Sequence, residues 1–564
     1  MTTHLPAAPP PTAPPPTAPP PTAPEISRAT DLLAAYSVPD ACAAELLCDR
    51  HPADAVAFTL VDPDLTGTDT TYGQLKERSE RMARGLADLG VGPGDRVATL
   101  MGKSEDLAVV LLGIWRLGAV HVPLFTAFAP PAIALRLVAS AAQVVVCDAG
   151  QRPKLNPSED MPGETFWKIV VAGGGPTSEQ APGDLALADL AAAPAGYPAA
   201  RLGGRAPLVE IFTSGTTGAP KAVHVPVLAL AAFQIYIEYG LDVRPDDVFW
   251  NAADPGWAYG LYYGILGPLV TGRRSILLHG GFTPDLTWEL LKSYRVTNFA
   301  AAPTVYRSLR AGEATAPPGL SLRVCSSAGE PLNPEMVAWA ERTLGVPIRD
   351  HYGQTELGMA IINAWHPDVL RSVKPGSMGH PMLGWGAEVL SPEQDEVAPP
   401  GTPGRVVIDM AASPLMWFTA YSGAPAETSD RYSPDGRWYY TGDSGMKDED
   451  GYFFFSARDD DVIIMAGYRI GPFEVESVLL EHPDVVEVAV VGAPDELRGE
   501  VVEAYVVLRA GVEPSDALAA ELQQQVKERY AAHAYPRTVH FIDEVPKTPS
   551  GKIQRFVLKG QRRS

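Results

Sequence analysis

Between Ile211 and Lys221 the chain reads Ile-Phe-Thr-Ser-Gly-Thr-Thr-Gly-Ala-Pro-Lys. Gly215 and Gly218 permit positive φ and let backbone N–H groups approach a ligand closely. Thr213, Ser214, Thr216 and Thr217 add hydroxyl donors, and Lys221 adds a mobile point charge. A loop of this kind suits a polyphosphate, although the same composition also builds an ordinary turn. It is not the Gly-x-x-x-x-Gly-Lys-Ser/Thr loop of common ATPases. Pro220 precedes the lysine and Ala222 follows it, so the hydroxyl that would hold Mg²⁺ is missing.

Further polar clusters follow downstream. Ala328-Gly329-Glu330-Pro331 reads as a turn with a capping glutamate. In Tyr352-Gly353-Gln354-Thr355-Glu356 the glutamate is either a surface carboxylate or a hard oxygen ligand for Mg²⁺. Tyr440-Thr441-Gly442-Asp443 offers an ionised carboxylate able to accept from two vicinal hydroxyls. Arg458-Asp459-Asp460-Asp461 would by itself be a solvated acidic turn. It leads into Ala466-Gly467-Tyr468-Arg469-Ile470-Gly471-Pro472-Phe473-Glu474-Val475-Glu476. In Pro546-Lys547-Thr548-Pro549-Ser550-Gly551-Lys552-Ile553 two prolines and a glycine define a stiff turn that projects Lys552.

Taken in this order, the segments resemble the motifs of the adenylate-forming superfamily, which includes acyl-CoA synthetases, luciferases and peptide-synthetase adenylation domains. The Gly467–Glu476 run is similar to the hinge of the acetyl- and medium-chain acyl-CoA synthetase branch. The resemblance implies that Thr213, Ser214, Gly215, Thr216, Thr217, Gly218 and Lys221 hold phosphate, and that Gly329, Glu330 and Pro331 line an adenine slot. It implies that Tyr352 stacks on adenine, Thr355 donates to the α-phosphate and Glu356 binds Mg²⁺. Asp443 and Arg458 would hold ribose, Arg469 would contact phosphate, and Asp460 would be the hinge pivot. Gly467 would let the pantetheine of CoA pass, and Lys552 would reach the carboxylate–phosphate junction. Ala457 departs from the pattern, where many members carry glycine.

The implied activity is that of an AMP-forming acid–thiol ligase using ATP, Mg²⁺ and CoA. An acyl pocket would be formed by Trp257, Ala258, Tyr259, Ala328 and Gly353. Acetate-specific relatives wall that pocket with tryptophan at the position of Gly353, so an acid larger than acetate is expected. Refilling by Trp257, Tyr259 or Tyr262 would instead keep short acids preferred. Alternatives are an acetate or propionate ligase, an enzyme loading a carrier-protein thiol, a luciferase-like oxygenase, and a non-catalytic nucleotide-binding scaffold. Acetylation of Lys552 by a regulatory acetyltransferase, reversed by a deacetylase, would remove its charge.

The elements that must position these residues follow from periodicity. Leu208–Phe212 reads as a short buried strand. Leu75, Met82, Leu86 and Leu89 predict a helix from Thr71, ended by Gly90–Asp95 ahead of a strand at Arg96–Met101. A buried helix and strand are expected in Leu107–Leu124, and apolar runs mark Ala142–Cys147, Asn298–Ala302 and Leu322–Ser326. Helix and strand alternating in this way imply α/β architecture, a large N-terminal domain of mostly parallel sheets flanked by helices. Glu164–Arg205, rich in Gly, Ala and Pro, reads as a surface excursion. Helices at Phe473–Leu480 and Ser515–Tyr530 and strands at Val485–Val491 and Val501–Leu508 make a small α+β C-terminal domain, mobile by the resemblance. The expected boundaries are a disordered tail over 1–30, an adenylation domain over 31–459 and the C-terminal domain over 460–564.

The 564 residues carry a formal charge of −22, which argues against nucleic acid or an anionic membrane as partner. A polyanionic substrate must therefore be held by local cations. Three Ala-Pro-Pro-Pro-Thr copies over Ala8–Thr22 favour polyproline II, either an inert extension or a ligand for an SH3-like partner. Four sparse cysteines without metal-site spacing fit a reducing, cytoplasmic compartment. No signal peptide is visible, and Arg116 and His121 disfavour membrane insertion of Leu107–Leu124.

Overall fold

The computed structural model describes residues 23–163, 165–173, 183–213, 220–312, 315–465, 468–495, 498–548 and 552–561, with side chains from residue 27 onward. The repeats of the proline-rich tail lie outside them. Three sheets form among the described residues.

One sheet is parallel through Val56–Val61, Ser275–Leu278, Phe249–Asn251, Asn298–Ala301, Val324–Ala328 and Ile348–Gln354. It then turns antiparallel from Gly358–Ile362 onward, through Ser377–Pro381, Phe453–Arg458 and Trp438–Lys447, to Gly404–Asp409 and Ala387–Leu390. The second sheet is parallel from Leu185–Ala186 to Pro207–Phe212, and Ala222–Pro226 closes it antiparallel. The third belongs to the C-terminal part: Tyr468–Ile470, Ile463–Met465, Gly499–Leu508 and Val485–Asp495 run antiparallel, with Thr538–Phe541 added in parallel.

The expected helix at Thr71 spans Tyr72–Asp88. Thr71 Oγ1 accepts from the Gln74 N–H, and Gln74 Oε1 accepts from the Thr71 N–H. Those reciprocal bonds satisfy donors that the first turn leaves unpaired. The apolar run resolves into helix Glu105–Leu117, capped by Ser104 and ended by Gly118 at φ +78, and strand Val120–Pro123. Its two polar residues are buried and paired. Arg116 makes a forked bond to Asp49 and a third to Ser79, and His121 Nε2 pairs with Thr99 Oγ1 at 2.8 Å. No helix among the described residues is long and apolar enough to cross a membrane.

Two expectations are corrected. The stretch from Glu164 is not wholly a surface excursion, because Lys168–Ala172 is a strand paired with Val144–Asp148. Five residues with Val170 fully buried suffice, although glycine and proline flank them. The tail expected over 1–30 also overlaps a helix. Helix Ala23–Tyr36 begins earlier and buries Ala29, Leu32 and Tyr36, while Arg28 forks onto Glu238 at 3.0 and 2.6 Å.

Candidate active site

The threonine-rich loop closes a hairpin. Phe212 pairs with Ala222, and the Thr213 N–H donates to the Lys221 carbonyl at 2.9 Å. Ser214, Gly215, Thr216, Thr217 and Gly218 lie outside the described residues. The Lys221 ammonium stands 5.2 Å from the ring centroid of Tyr421.

Ala328 ends a parallel strand and is buried. Gly329 follows at φ +102, where a Cβ would meet nothing within 4 Å. Backbone conformation rather than crowding therefore explains glycine there. Glu330 Oε2 accepts from Arg307 at 2.7 Å, while its Oε1 has no hydrogen-bond partner among the described residues. Pro331 completes the turn into Leu332, whose N–H donates to buried Asp350 at 3.2 Å.

Tyr352 and Asp443 meet directly. The Tyr352 hydroxyl donates to Asp443 Oδ2 at 2.5 Å, and Gln354 Nε2 donates to the same oxygen at 2.8 Å. Oδ1 faces Arg458, whose Nε lies 3.5 Å away because Asp443 and Arg458 are cross-strand neighbours. Burial pushes the Asp443 carboxyl above its usual range, opposed by Arg458 and by the Tyr352 and Gln354 donors. Desolvation would weaken the Arg458 cation, but Asp443 and Asp460 together outweigh it and raise its pKa.

Thr355 is half-buried, and its carbonyl accepts from the Tyr262 hydroxyl at 3.1 Å. Glu356 is buried, and its Oε1 accepts from the Tyr421 hydroxyl at 2.6 Å. Its other oxygen has no hydrogen-bond partner among the described residues. Neither Tyr421 nor Arg431, which donates to Tyr421 at 3.1 Å, was signalled by the sequence. The loop between the two strands that hold them has no periodicity or motif spacing to mark either.

Lys552 arrives from the C-terminal lobe. The Thr548 N–H donates to the Lys552 carbonyl at 2.7 Å, and the Lys552 N–H donates to Thr548 Oγ1 at 3.1 Å. Lys547 and Ile553 form an antiparallel bridge on either side of 549–551, which lie outside the described residues. The Lys552 ammonium reaches within 5.9 Å of the Trp257 ring centroid on the large lobe. It is exposed by surface area and yet crowded by protein on several sides, as expected in a cleft open to water. The crowding governs its charge: burial lowers its pKa against the field of Glu330, Asp443 and Glu356, with Arg458 acting in the same sense as burial.

The three consecutive aspartates divide. Asp459 bonds Ser444 and the Gly442 carbonyl, Asp461 pairs with Arg555 and Lys559, and Asp460 is exposed with Arg458 at 3.8 Å. Arg469 is exposed on Tyr468–Ile470 and has no contact with the cleft residues among those described. Gly467 lies outside the described residues.

Of the residues assigned to an acyl pocket, Trp257, Ala258 and Tyr259 lie at the start of the short helix Ala258–Gly260. Trp257 packs edge-on to Phe125 at 5.7 Å, and Ala258 is half-buried. Tyr259 starts a buried chain: its hydroxyl lies 3.2 Å from that of Tyr236, which is 2.6 Å from His351 Nδ1, whose Nε2 lies 3.0 Å from the Asn363 carbonyl. The carbonyl can only accept, so Nε2 carries the proton and Nδ1 accepts from Tyr236. Burial drops the His351 pKa to about 3, in keeping with a neutral ring. Gly353 corrects an expectation. A Cβ there would lie 2.1 Å from the Gly358 carbonyl oxygen, so the position faces backbone and opens no space of its own. Tyr262 stacks on Phe233 at 4.4 Å and stands edge-on to Trp417 at 6.4 Å, filling much of the region behind.

With this geometry in view, the family profile described as AMP-binding enzyme matches residues 45–413, and that of the AMP-binding enzyme C-terminal domain matches 474–552. The chain belongs to the AMP-binding enzyme family. It is 37% identical over 502 residues to an acetyl-coenzyme A synthetase of Bacillus subtilis, covering 87% of this chain and 84% of that protein. It is also 37% identical over 500 residues to the human mitochondrial acyl-coenzyme A synthetase ACSM4, with the same coverage. A solved acyl-CoA synthetase of Brucella canis is 42% identical with a TM-score of 0.72, covering 96% of this chain and 98% of that one. An anthranilate CoA ligase solved with anthranoyl-AMP is 28% identical with a TM-score of 0.84, covering 95% of this chain and 99% of that one. Within the family the chain is an acyl-CoA synthetase, an AMP-forming acid–thiol ligase.

Proposed function

We propose that the protein activates a carboxylic acid larger than acetate as its acyl-adenylate and passes the acyl group to the CoA thiol. The observation carrying this reading is the Lys552 ammonium, delivered from the small lobe into a cleft walled by Glu330, Asp443, Glu356 and Trp257. A carboxylate resists nucleophiles because its oxygen is no leaving group. Joining it to AMP supplies one, and pyrophosphate departs. Negative charge gathers at the α-phosphate, where fixed donors and cations are worth most. On this reading Lys552 and Thr355 meet that charge, the threonine-rich loop and Lys221 hold the departing phosphates, and Asp443 and Arg458 hold ribose. Gly329, Glu330, Pro331 and Tyr352 frame the adenine.

Glu356 suits Mg²⁺. No cluster of three or more His, Cys, Asp or Glu able to hold a metal occurs among the described residues, and among those residues only one Glu356 oxygen is engaged. Mg²⁺ is commonly bound by one or two carboxylates plus substrate phosphates, and when bound it would neutralise phosphate charge. In the second half-reaction rotation at Asp460 would carry Lys552 away and bring Gly467 and Arg469 toward the cleft. The lobes then divide at Asp460, and the large lobe starts with the helix at Ala23 rather than at residue 31. Acetylation of Lys552 would remove the charge on which the first step depends. Four buried free thiols support a cytoplasmic setting.

The larger acid is favoured by the small side chains of Ala258 and Ala328. A short acid is the second reading, favoured by the close packing of Tyr262 with Phe233 and Trp417. Pyrophosphate release with ATP, Mg²⁺ and acetate, butyrate, octanoate or benzoate, with and without CoA, tests both. Release that depends on the acid, with highest kcat/KM for an acid beyond acetate, is expected. Acid-independent release would sink the ligase reading, and acetate as the best substrate would sink the size reading.

A further inference from the structure

We propose that Tyr421 and Arg431 are positioning residues that hold the Glu356 carboxylate in a fixed place relative to Lys221 and the strand Ala222–Pro226. This rests on Glu356 being the Mg²⁺ ligand. Guanidinium can only donate, so the 3.1 Å contact runs from Arg431 Nε–H to the Tyr421 oxygen. The phenol's single proton is then free for Glu356 Oε1 at 2.6 Å. The polarity of the relay is thereby fixed: Arg431 to Tyr421 to Glu356. One carboxylate oxygen is held and the other is left available.

Both relay residues are anchored to the strands that carry the rest of the cleft. Tyr421 bridges Val223, and the Ser422 N–H donates to the Ala222 carbonyl at 2.9 Å, on the strand that leaves the loop. The Lys221 ammonium lies over the same ring. Arg431 Nη1 donates to the carbonyls of Thr441 at 3.0 Å and Tyr440 at 3.3 Å, just before Asp443. Gly442 makes room for it: at φ +73, a Cβ there would stand 2.9 Å from Arg431 Nη1. A buried phenol between a cation and a carboxylate is well placed to fix the orientation of the latter. Groups that orient a metal ligand typically affect metal affinity by roughly 10–100-fold.

The test is calorimetric binding of a non-hydrolysable ATP analogue to the full-length protein, with and without Mg²⁺. Tyr421→Phe keeps the ring, and Arg431→Lys keeps the charge while losing the directed Nε–H. The gain in nucleotide affinity that Mg²⁺ confers is expected to shrink about 10-fold or more in Tyr421→Phe, and measurably in Arg431→Lys, with metal-free binding unchanged. An undiminished gain in both variants, or an equal loss with and without Mg²⁺, would overturn the proposal. Glu356→Gln separates the two layers. If it abolishes the gain and Tyr421→Phe does not, the relay alone fails; if it leaves the gain intact, the ligand assignment fails with it.

Discussion

Asp459 and Asp461 flank a single residue, and their carboxylates are bound to opposite lobes. Asp459 accepts from Ser444 at 2.5 Å and gives its N–H to Gly442, both in the Trp438–Lys447 strand of the large sheet. Asp461 pairs with Arg555 at 3.6 Å and Lys559 at 3.7 Å, on the helix that follows Lys552. A rotation confined to Asp460 breaks neither set.

Fixing φ at that point should separate the two half-reactions. With Asp460→Pro, acyl-adenylate formation is expected to stay within a few-fold of wild type, while thioester formation falls roughly 100-fold from misplacement of the second working face. Single-turnover assays of each step read this directly. Equal losses in both would place the pivot elsewhere.

The Lys552 pKa is lowered by burial in the cleft. In the window between that depressed value and 10.5, the unfolded chain binds more protons at this group than the folded one, so its contribution to stability rises with pH there. Phosphate arriving beside the ammonium should raise its pKa again. ATP binding in that alkaline window is therefore expected to take up a proton, seen as a dependence of binding enthalpy on buffer ionisation enthalpy. Lys552→Gln should lose that uptake. No uptake in the wild type would mean that the ammonium does not meet the nucleotide.

Asp350 makes the opposite contribution. Burial raises its carboxyl to about 8, opposed by the N–H groups of Leu332 and His351. Its stabilising contribution is present below its unfolded value and is lost as pH rises through about 8. Asp350→Asn should flatten the fall in denaturation midpoint between pH 5 and 8, and an unchanged slope would contradict the assignment.

Gly353→Ala is expected to destabilise the large lobe by about 3 kcal/mol or more, because its Cβ would meet the Gly358 carbonyl at 2.1 Å and backbone must move. A wild-type denaturation midpoint would contradict this. Chain-length preference is better probed at Tyr262. Tyr262→Ala removes a fully buried ring stacked on Phe233 and should shift kcat/KM toward longer acids, at a stability cost of about 3–5 kcal/mol. An unchanged preference across the acid series would place the acyl chain elsewhere.

Much of the cleft was legible because its residues come in short, ordered segments that combine glycines, hydroxyls and charges in a way plain turns and solvated faces do not require. Tyr352, Asp443 and Arg458 do meet, and the elements predicted around Thr71, Leu107 and Val485 are present. Tyr421 and Arg431 were not legible. Their significance lies in a bridge to Val223 and a bond to Glu356, both long-range contacts without local pattern. Lys168–Ala172 was hidden by flanking glycine and proline, although its pairing with Val144–Asp148 decides it. The direction in which Gly353 faces is a property of the hairpin bulge between Tyr352 and Gly353 and cannot be read from composition.

The most direct measurement is Lys552→Ala assayed separately for acyl-adenylate formation from acid and ATP, and for thioester formation from supplied acyl-adenylate and CoA. The first is expected to fall by roughly 10²–10³ or more, with the second near wild type. Equal damage to both steps, or an intact first step, would contradict it.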